Sequence, residues 1–302
     1  MNSFLRSSPA IFLIVAISLN GCGTPPKKSP PPLQKAARHL NKGISVEDGN
    51  VPGDAEAEFL EGYRIYRSVE DYPGMLTSLL NLSKLYRARG ESVRALEAVA
   101  SAEKILPNDQ SVAYEFWYEK GRLMLHLDKV SEALESSEKA LLLAPESERG
   151  RMFILKGEAQ LLRKEYESAT KLAAEALSLS RKHGDRRLEA TAEKLQGEVL
   201  LATGKYSSSI ERFGAALLID KELALSGRVA SDLDALARGA EAAGDIKGAV
   251  GYLLRKVDLI RARIQSNEHL STDYTRLALL YDRLGDREAA VKIRALQEGE
   301  KR

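Results

Sequence analysis

The sequence predicts an all-α fold in which antiparallel helix pairs stack into a superhelical solenoid, and three observations support this prediction. Only four prolines follow Leu33, and no sustained alternation of β-branched residues is present. Apolar residues recur at intervals of three and four, as on one face of an α-helix. Small residues recur at a fixed spacing along the chain, which is the mark of a repeat architecture.

The helical spacing is clearest in two consecutive segments, 76–88 and 95–106. Gly90 lies between them and is expected to end the first helix, because glycine adopts the left-handed conformation common at helix C-termini. The apolar positions that define the two faces are Leu76, Leu79, Leu80, Leu82, Leu85, Tyr86, Ala95, Leu96, Val99, Ala102, Ile105 and Leu106.

A small residue in the middle of one helix is followed, twelve residues later, by a second small residue in the next helix. Two helices joined by a short turn approach most closely where their side chains are smallest, so these residues are predicted to mark the helix crossings. The six pairs are Ser83 with Ala95, Gly121 with Ala133, Gly157 with Ala169, Gly197 with Ser209, Ala237 with Ala249, and Ala278 with Ala290. The predicted turns, five residues before each second member, are Gly90, Asp128, Lys164, Gly204, Gly244 and Gly285.

This pattern resembles the tetratricopeptide repeat (TPR) family. The unit 114–147 carries its marker residues most completely, at Trp117, Gly121, Ala133, Ala140 and Pro145. Successive units are spaced by 38, 36, 40, 40 and 41 residues, against 34 in the archetype. The extra residues are expected to lengthen the helices or the loops between units, as at 182–185. The resemblance implies a TPR-like domain over 34–302 with about six to seven repeats; an unrelated helical bundle is the alternative.

The N-terminus has the pattern of a secretory signal. Arg6 precedes a ten-residue apolar run, Ala10–Leu19, which is too short to span a membrane and suits a signal peptide. Cys22, the only cysteine, follows Asn20 and Gly21. This resembles the lipobox of bacterial lipoproteins, and it implies a signal peptide at 1–21 and lipidation of Cys22. An ordinary cleaved signal that happens to contain a cysteine is the alternative.

Residues 22–33 contain half of the chain's ten prolines and are expected to form an extended tether between the lipid and the helical body. The lipid would attach the protein to a membrane without spanning it. Gly23 and Thr24 follow the cysteine with no aspartate, and by resemblance this implies the outer membrane, facing the periplasm, if the cell is Gram-negative.

Composition and motifs exclude several function classes. Lysine and arginine total 45 and aspartate and glutamate 43, giving a net charge of +2; a nucleic-acid binder usually has a clear basic excess. One cysteine excludes an intrachain disulfide and a cysteine-based zinc site. The four histidines are dispersed, and no HExxH, GxSxG, Walker or GxGxxG motif occurs. We therefore expect no metal, no cofactor and no enzymatic activity.

The first helix of each pair is expected to line the concave side of the solenoid and to form a groove. Bases predominate toward the N-terminal half and acids gain toward the C-terminal half, so a peptide or helix of opposite polarity would fit. Solvation and intramolecular ion pairs are the alternative role of these charges. The candidate groove residues are Lys84, Arg87, Tyr118, Arg122, Arg151, Glu158, Lys194, Glu198, Asp234, Arg238 and Glu241.

These features together predict a non-enzymatic, lipid-anchored protein that binds or scaffolds a partner protein or peptide segment in the cell envelope. The layout resembles that of outer-membrane TPR lipoproteins. A second hypothesis is a protein that binds a small molecule or glycan in a pocket between repeats, which would need a deep apolar cavity.

Overall fold

A computed structural model describes residues 30–47, 53–106, 110–263 and 270–299 of the chain. The signal sequence, Cys22 and most of the predicted tether lie outside these residues. The fourteen helices of the described part are α1 (Pro31–Glu47), α2 (Ala55–Ser68), α3 (Tyr72–Ala88), α4 (Ser92–Lys104), α5 (Gln110–His126), α6 (Val130–Leu143), α7 (Glu146–Leu162), α8 (Tyr166–His183), α9 (Arg186–Ala202), α10 (Tyr206–Glu222), α11 (Ser226–Ala242), α12 (Ile246–Arg263), α13 (Ser271–Arg283) and α14 (Arg287–Gly299).

The helices form seven consecutive pairs, α1/α2 to α13/α14, and no strand occurs in the described ranges. We call the first helix of a pair its A helix and the second its B helix. From α1 to α11, each A helix contacts the next A helix, whereas no two B helices of neighbouring pairs make comparable contact within the described residues. Pairs that are close on one side and apart on the other curve toward the close side. The A helices therefore line the concave side of a superhelical solenoid, which confirms the predicted fold.

The small residues lie at the helix crossings, as predicted. A Cβ atom added to Gly197 would lie 2.5 Å from Cε1 of Phe213, whose ring packs against the bare glycine backbone. Added to Gly121 or Gly157, it would meet the Cδ2 of a leucine of the next A helix, Leu155 or Leu195, at 2.7 Å. The glycines thus admit bulky side chains both from their own pair and from the following one.

All six predicted turn residues have positive φ, between 57° at Asp128 and 81° at Gly244. In each turn the amide of the next residue donates to a carbonyl five residues back; the Lys205 amide, for example, lies 2.9 Å from the Leu200 oxygen. This is the Schellman arrangement that ends a helix and satisfies its last carbonyls. Three connections between pairs use the same turn, with Glu70, Gly184 and Ala224 at positive φ.

The structure refines the sequence-based prediction at two places, the connection between α8 and α9 and the start of α1. At the α8–α9 connection the longer repeat spacing comes from longer helices: only Gly184 and Asp185 separate the two, so residues 182–185 are no extended loop. Helix α1 begins at Pro31 rather than after Leu33. Proline is tolerated in a first helical turn, where the missing amide has no intrahelical partner.

In repeat proteins the terminal unit usually has a polar outer surface that acts as a cap. Helix α14 ends at Gly299 and exposes a mixed surface. Glu288 and Lys292 form an exposed ion pair, but Val291 is 63% exposed and Leu296 44% exposed. The outer surface of the last pair is therefore only partly polar.

Gly204→Ala should destabilise the protein by about 1–2 kcal/mol, the cost of placing a Cβ in the left-handed conformation. Its φ is +77° and an added Cβ would meet nothing within 4 Å, so the backbone alone is tested. Gly214→Ala is the matched control: Gly214 lies inside α10, also with open space around it, and alanine should stabilise the helix by up to about 1 kcal/mol. Urea unfolding midpoints measure both, and a loss of stability in both variants would contradict this account.

Candidate functional site

The candidate site is the surface that the A helices present on the concave side, which we call the concave wall. All eleven predicted groove residues lie on five consecutive A helices, α3, α5, α7, α9 and α11. The A helices are adjacent in space, and their long charged side chains bridge from one helix to the next. The arrangement in the N-terminal half differs from that in the C-terminal half.

A cleft of about 470 Å³ opens in the concave wall between α3, α5 and α7. It brings together five of the predicted residues, from three helices and from positions up to 67 residues apart in sequence (84 to 151). The residues that line the cleft are Leu80, Asn81, Lys84, Arg87, Glu115, Tyr118, Glu119, Arg122 and Arg151.

Arg87 is held at one side of the cleft by a buried carboxylate. Its Nε and Nη2 donate to the two carboxylate oxygens of Glu119, at 3.1 and 3.3 Å. The Ser83 hydroxyl donates to the same carboxylate at 3.3 Å. Glu119 is only 6% exposed, and a buried charge is costly unless it is paired and hydrogen-bonded in this way. Arg87 is thus a structural cation as well as part of the lining.

Arg151 lies across the cleft from α3 and contacts three residues. Its Nη1 donates to Glu115 at 3.0 Å and to Glu148 at 2.9 Å. Its guanidinium carbon lies 4.3 Å from the centre of the Tyr118 ring, a cation–π contact. Tyr118 is therefore fixed as a platform under an arginine instead of standing free on the wall.

Arg122 forms a short ion pair with Glu158 on the next A helix, α7. The Glu158 carboxylate raises the pKa of Arg122 above its ordinary value, so this guanidinium keeps its charge at any physiological pH. With Lys84 and the two arginines above, four cations line the cleft against two lining acids, Glu115 and Glu119. Cations therefore outnumber acids among the lining residues of the cleft. Each of its three arginines is nevertheless paired with a glutamate.

In the C-terminal half, the predicted residues pair between α9 and α11. The Lys194 amine lies 3.3 Å from Oδ1 of Asp232 and donates to the Ser231 hydroxyl at 2.6 Å. Arg238 donates to Glu198 through both terminal nitrogens, with a distance of 2.9 Å for Nη1 to Oε2. Glu198 and Arg238 thus form a two-pronged ion pair between neighbouring A helices.

Asp234 and Glu241 of α11 pair with cations on the following helices. Asp234 accepts from Lys256 at 3.1 Å. Burial acts to raise the pKa of Asp234, but Lys256, Arg276 and Arg238 together lower it. Glu241 accepts from Arg276 at 2.9 Å and from Arg283 at 2.7 Å.

The charged residues predicted for the groove therefore interact within the chain, Lys84 included. The predicted change of polarity along the wall does not correspond to a change in net charge, because bases and acids neutralise one another from helix to helix. The intramolecular ion pairs that were the alternative are thus present. In the N-terminal half, where bases were predicted to predominate, the lining of the cleft has more cations than acids.

Sequence reasoning missed the acids that hold the cleft together. Glu115 and Glu119 lie three residues before Tyr118 and Arg122, a spacing that places them on the same helical face. It also missed a buried aspartate, Asp232, which is 1% exposed. Burial and the neighbouring Asp220 raise its pKa to about 6, against the opposing charge of Lys194.

The remaining described residues show little further chemistry. No group of three or more histidine, cysteine, aspartate or glutamate side chains there has a metal-binding arrangement. Among the same residues, no helix is both long and apolar enough to cross a bilayer. Phe116 is fully buried and packs edge-to-face on Trp117, with 5.0 Å between the ring centres, so this aromatic pair has a packing role. His269 lies outside the described ranges.

Solved structures with the same architecture support the fold. A Rap protein complexed with competence and sporulation factor aligns with a TM-score of 0.65 and 17% identity, over 89% of this chain and 76% of its own. A signal transduction ATPase with a tetratricopeptide repeat sensor, from Pyrococcus horikoshii, aligns with a TM-score of 0.61 and 15% identity, over 88% of this chain and 42% of its own.

PilW, a widely conserved type IV pilus biogenesis factor, aligns with a TM-score of 0.54 and 17% identity, over 74% of this chain and 93% of its own. No protein family matches by sequence, and neither does any curated protein. At these identities the structural likeness establishes the fold, a TPR-like solenoid, and leaves function to the site itself.

Proposed function

We propose that this chain is a non-enzymatic interaction protein that holds a segment of a partner protein along its concave wall, and that a lipid on Cys22 anchors it in a bacterial cell envelope. The observation that carries the proposal is the cleft between α3, α5 and α7, where four cations, a tyrosine and a leucine face one open space. An extended or helical segment with acidic side chains has the complementary chemistry.

The ion pairs of the cleft are suited to partner exchange. The Arg122 and Arg151 side chains are 29% and 33% exposed, and their partners Glu158 and Glu115 are 33% and 38% exposed. Exposed pairs of this kind contribute only about 0–1 kcal/mol each. A carboxylate of a partner segment can therefore replace one of them at small cost, while the buried pair of Arg87 with Glu119 keeps α3 and α5 in register.

The structural neighbours are consistent with this role. One was solved as a complex with a competence and sporulation factor, another carries its repeats as a sensor, and a third serves type IV pilus biogenesis. They support an interaction role by analogy of fold. PilW in particular makes an envelope assembly role a reasonable hypothesis for this chain.

A small-molecule or glycan-binding role has less support. Such sites are mostly apolar and enclosed, with a few converging polar groups. The cleft is open, and seven of its nine lining residues are charged or amides, with Leu80 and Tyr118 as the others. Its chemistry suits a charged polymer segment better than a small apolar ligand.

The anchor sets where the groove can act. Helix α1 begins nine positions after Cys22, so an extended tether would hold the body within about 28 Å of the lipid, at about 3.1 Å per residue. Confinement to one membrane raises the effective concentration of the protein for partners in the same membrane. We propose the outer membrane, facing the periplasm, because no aspartate follows Cys22.

Cys22→Ser should release an intact, folded body from the membrane, because the lipid is attached through the cysteine sulfur and the described helices contain no membrane span. Fractionation of cells, with circular dichroism of the released protein, measures this. Ser29→Ala, a change in the same tether that leaves the cysteine in place, is the control. Membrane attachment of Cys22→Ser equal to that of the control would contradict the proposed anchor.

The double variant Lys84→Glu with Tyr118→Ala should lower the yield of a specific crosslinked envelope partner at least about tenfold. It changes two lining residues of the cleft and leaves the ion pairs of Arg87, Arg122 and Arg151 in place. Crosslinking in intact cells followed by purification measures the yield of the partner. Lys171→Glu with Leu142→Ala makes the same kind of change at exposed positions of the B helices α8 and α6. Equal recovery of the partner with both variants would move the binding surface away from the cleft.

A further inference from the structure

Two aspartates are buried against each other behind the concave wall. Asp220, near the end of α10, and Asp232, on α11, are each 1% exposed, and the two carboxyl groups are close enough for Asp220 to raise the pKa of Asp232. Oδ2 of Asp232 is buried and has no donor among the described groups. Two carboxylates at such close range cannot both be ionised cheaply, and one shared proton relieves both the repulsion and the missing donor.

The cations around the pair are unequally divided. Arg228, on α11, lies with Nε 2.9 Å from both oxygens of Asp220. Among the described residues, the cation that forms an ion pair with Asp232 is Lys194 of α9, at 3.3 Å. Lys256 of α12 pairs with Asp234 and Asp273. Asp232, whose pKa is raised by burial and by the neighbouring Asp220, is therefore the member that takes the proton.

Lys194 connects this buried pair to the surface. Its side chain is 24% exposed on the concave wall, whereas that of Asp232 is 2% exposed. Lys194 is thus a wall residue whose countercharge is hidden beneath it. When Asp232 is ionised, Lys194 has a countercharge beneath it; when Asp232 is protonated, that ion pair is lost and the hydrogen bond from Lys194 to Ser231 remains.

We propose that the Asp220–Asp232 pair is a proton-operated control of the concave wall, in which acidification frees Lys194 to bind a carboxylate of an acidic partner segment. This inference rests on the proposed function, since it takes the concave wall as the binding surface. It adds a condition to that function: binding at the α9–α11 part of the wall strengthens as the pH falls through about 6.

The direction of the pH effect follows from the raised pKa of Asp232, about 6, against an ordinary value near 4. Between these values the folded protein binds this proton more tightly than the unfolded chain does. The pair therefore stabilises the fold fully below about pH 4 and loses this contribution as the pH rises through about 6. The ionised, unshared pair at neutral pH is the less stable form.

The first test follows the carboxyl carbons of the full chain, labelled with ¹³C-aspartate, by NMR from pH 3.5 to 8. One resonance, assigned by its absence in Asp232→Asn, should titrate near pH 6. Titration of that resonance near pH 4 would overturn the inference and leave the proposed function untouched, because the cleft between α3 and α7 contains neither aspartate.

The second test measures binding of a ten-residue oligoglutamate peptide at pH 5.5 and 7.5. The wild-type protein should bind about threefold more tightly at pH 5.5, the gain expected from one unscreened cation at the surface. Asp232→Asn, which imitates the protonated form, should bind equally well at both pH values. Lys194→Gln leaves the cleft between α3 and α7 intact and should lose only the gain in affinity at pH 5.5.

The matched control is Asp273→Asn. Asp273 is also a buried aspartate, 6% exposed, but the lysine with which it pairs, at 2.7 Å, is Lys256 and not the wall residue Lys194. This variant should keep the wild-type difference between the two pH values. The histidines also titrate in this pH range and are present in all variants. If the wild type and Asp232→Asn showed the same difference in peptide affinity between pH 5.5 and 7.5, that difference would be assigned to the histidines, and the inference would be overturned.

Discussion

The close approach of neighbouring helices at small residues is the constraint on which the rest of this structure depends. At Gly121, Gly157 and Gly197 there is no room for a Cβ, because large side chains of the partner helix or the next A helix occupy that space. The same contacts bring successive A helices together while successive B helices of the described pairs remain apart. Curvature, and with it a concave surface, follows from this difference.

The charge pattern of the concave wall is a second consequence of that proximity. Adjacent A helices are near enough for an arginine on one to reach a glutamate on the next, as with Arg122 and Glu158 or Arg238 and Glu198. Most of these pairs are partly exposed and contribute little to stability. Two of the buried acids, Glu119 and Asp232, differ from these pairs and from each other. Glu119 is hydrogen-bonded by Ser83 and Arg87 and fixes a helix contact, whereas one oxygen of Asp232 has no donor among the described groups.

The fold was predictable from the sequence to the level of individual turns, because each helix pair is a local unit. The twelve-residue spacing of small residues and the six predicted turn positions are read from neighbouring residues alone, and the structure places every one of those turns at positive φ. The start of α1 at Pro31 was not predicted, since proline is compatible with both a tether and a first helical turn.

The site was predictable only in part, for the opposite reason. Helical spacing identified which residues face the concave side, and five of them line one cleft. Which acid of one A helix neutralises which base of the next depends on residues 32 to 42 positions apart, such as Arg87 with Glu119 or Arg283 with Glu241. No local pattern reports such distances. The buried Asp220–Asp232 pair was missed because a lone aspartate on a helix gives no sign in sequence of what lies beneath it.

The most direct test of the central claim, that the concave wall holds the partner, is site-specific photo-crosslinking in living cells. A photoreactive phenylalanine analogue replaces Lys84, exposed in the cleft, or Leu142, 83% exposed on the B helix α6. The account predicts a discrete adduct of one envelope protein from position 84 and none from position 142. The same adduct from position 142, with none from position 84, would contradict it.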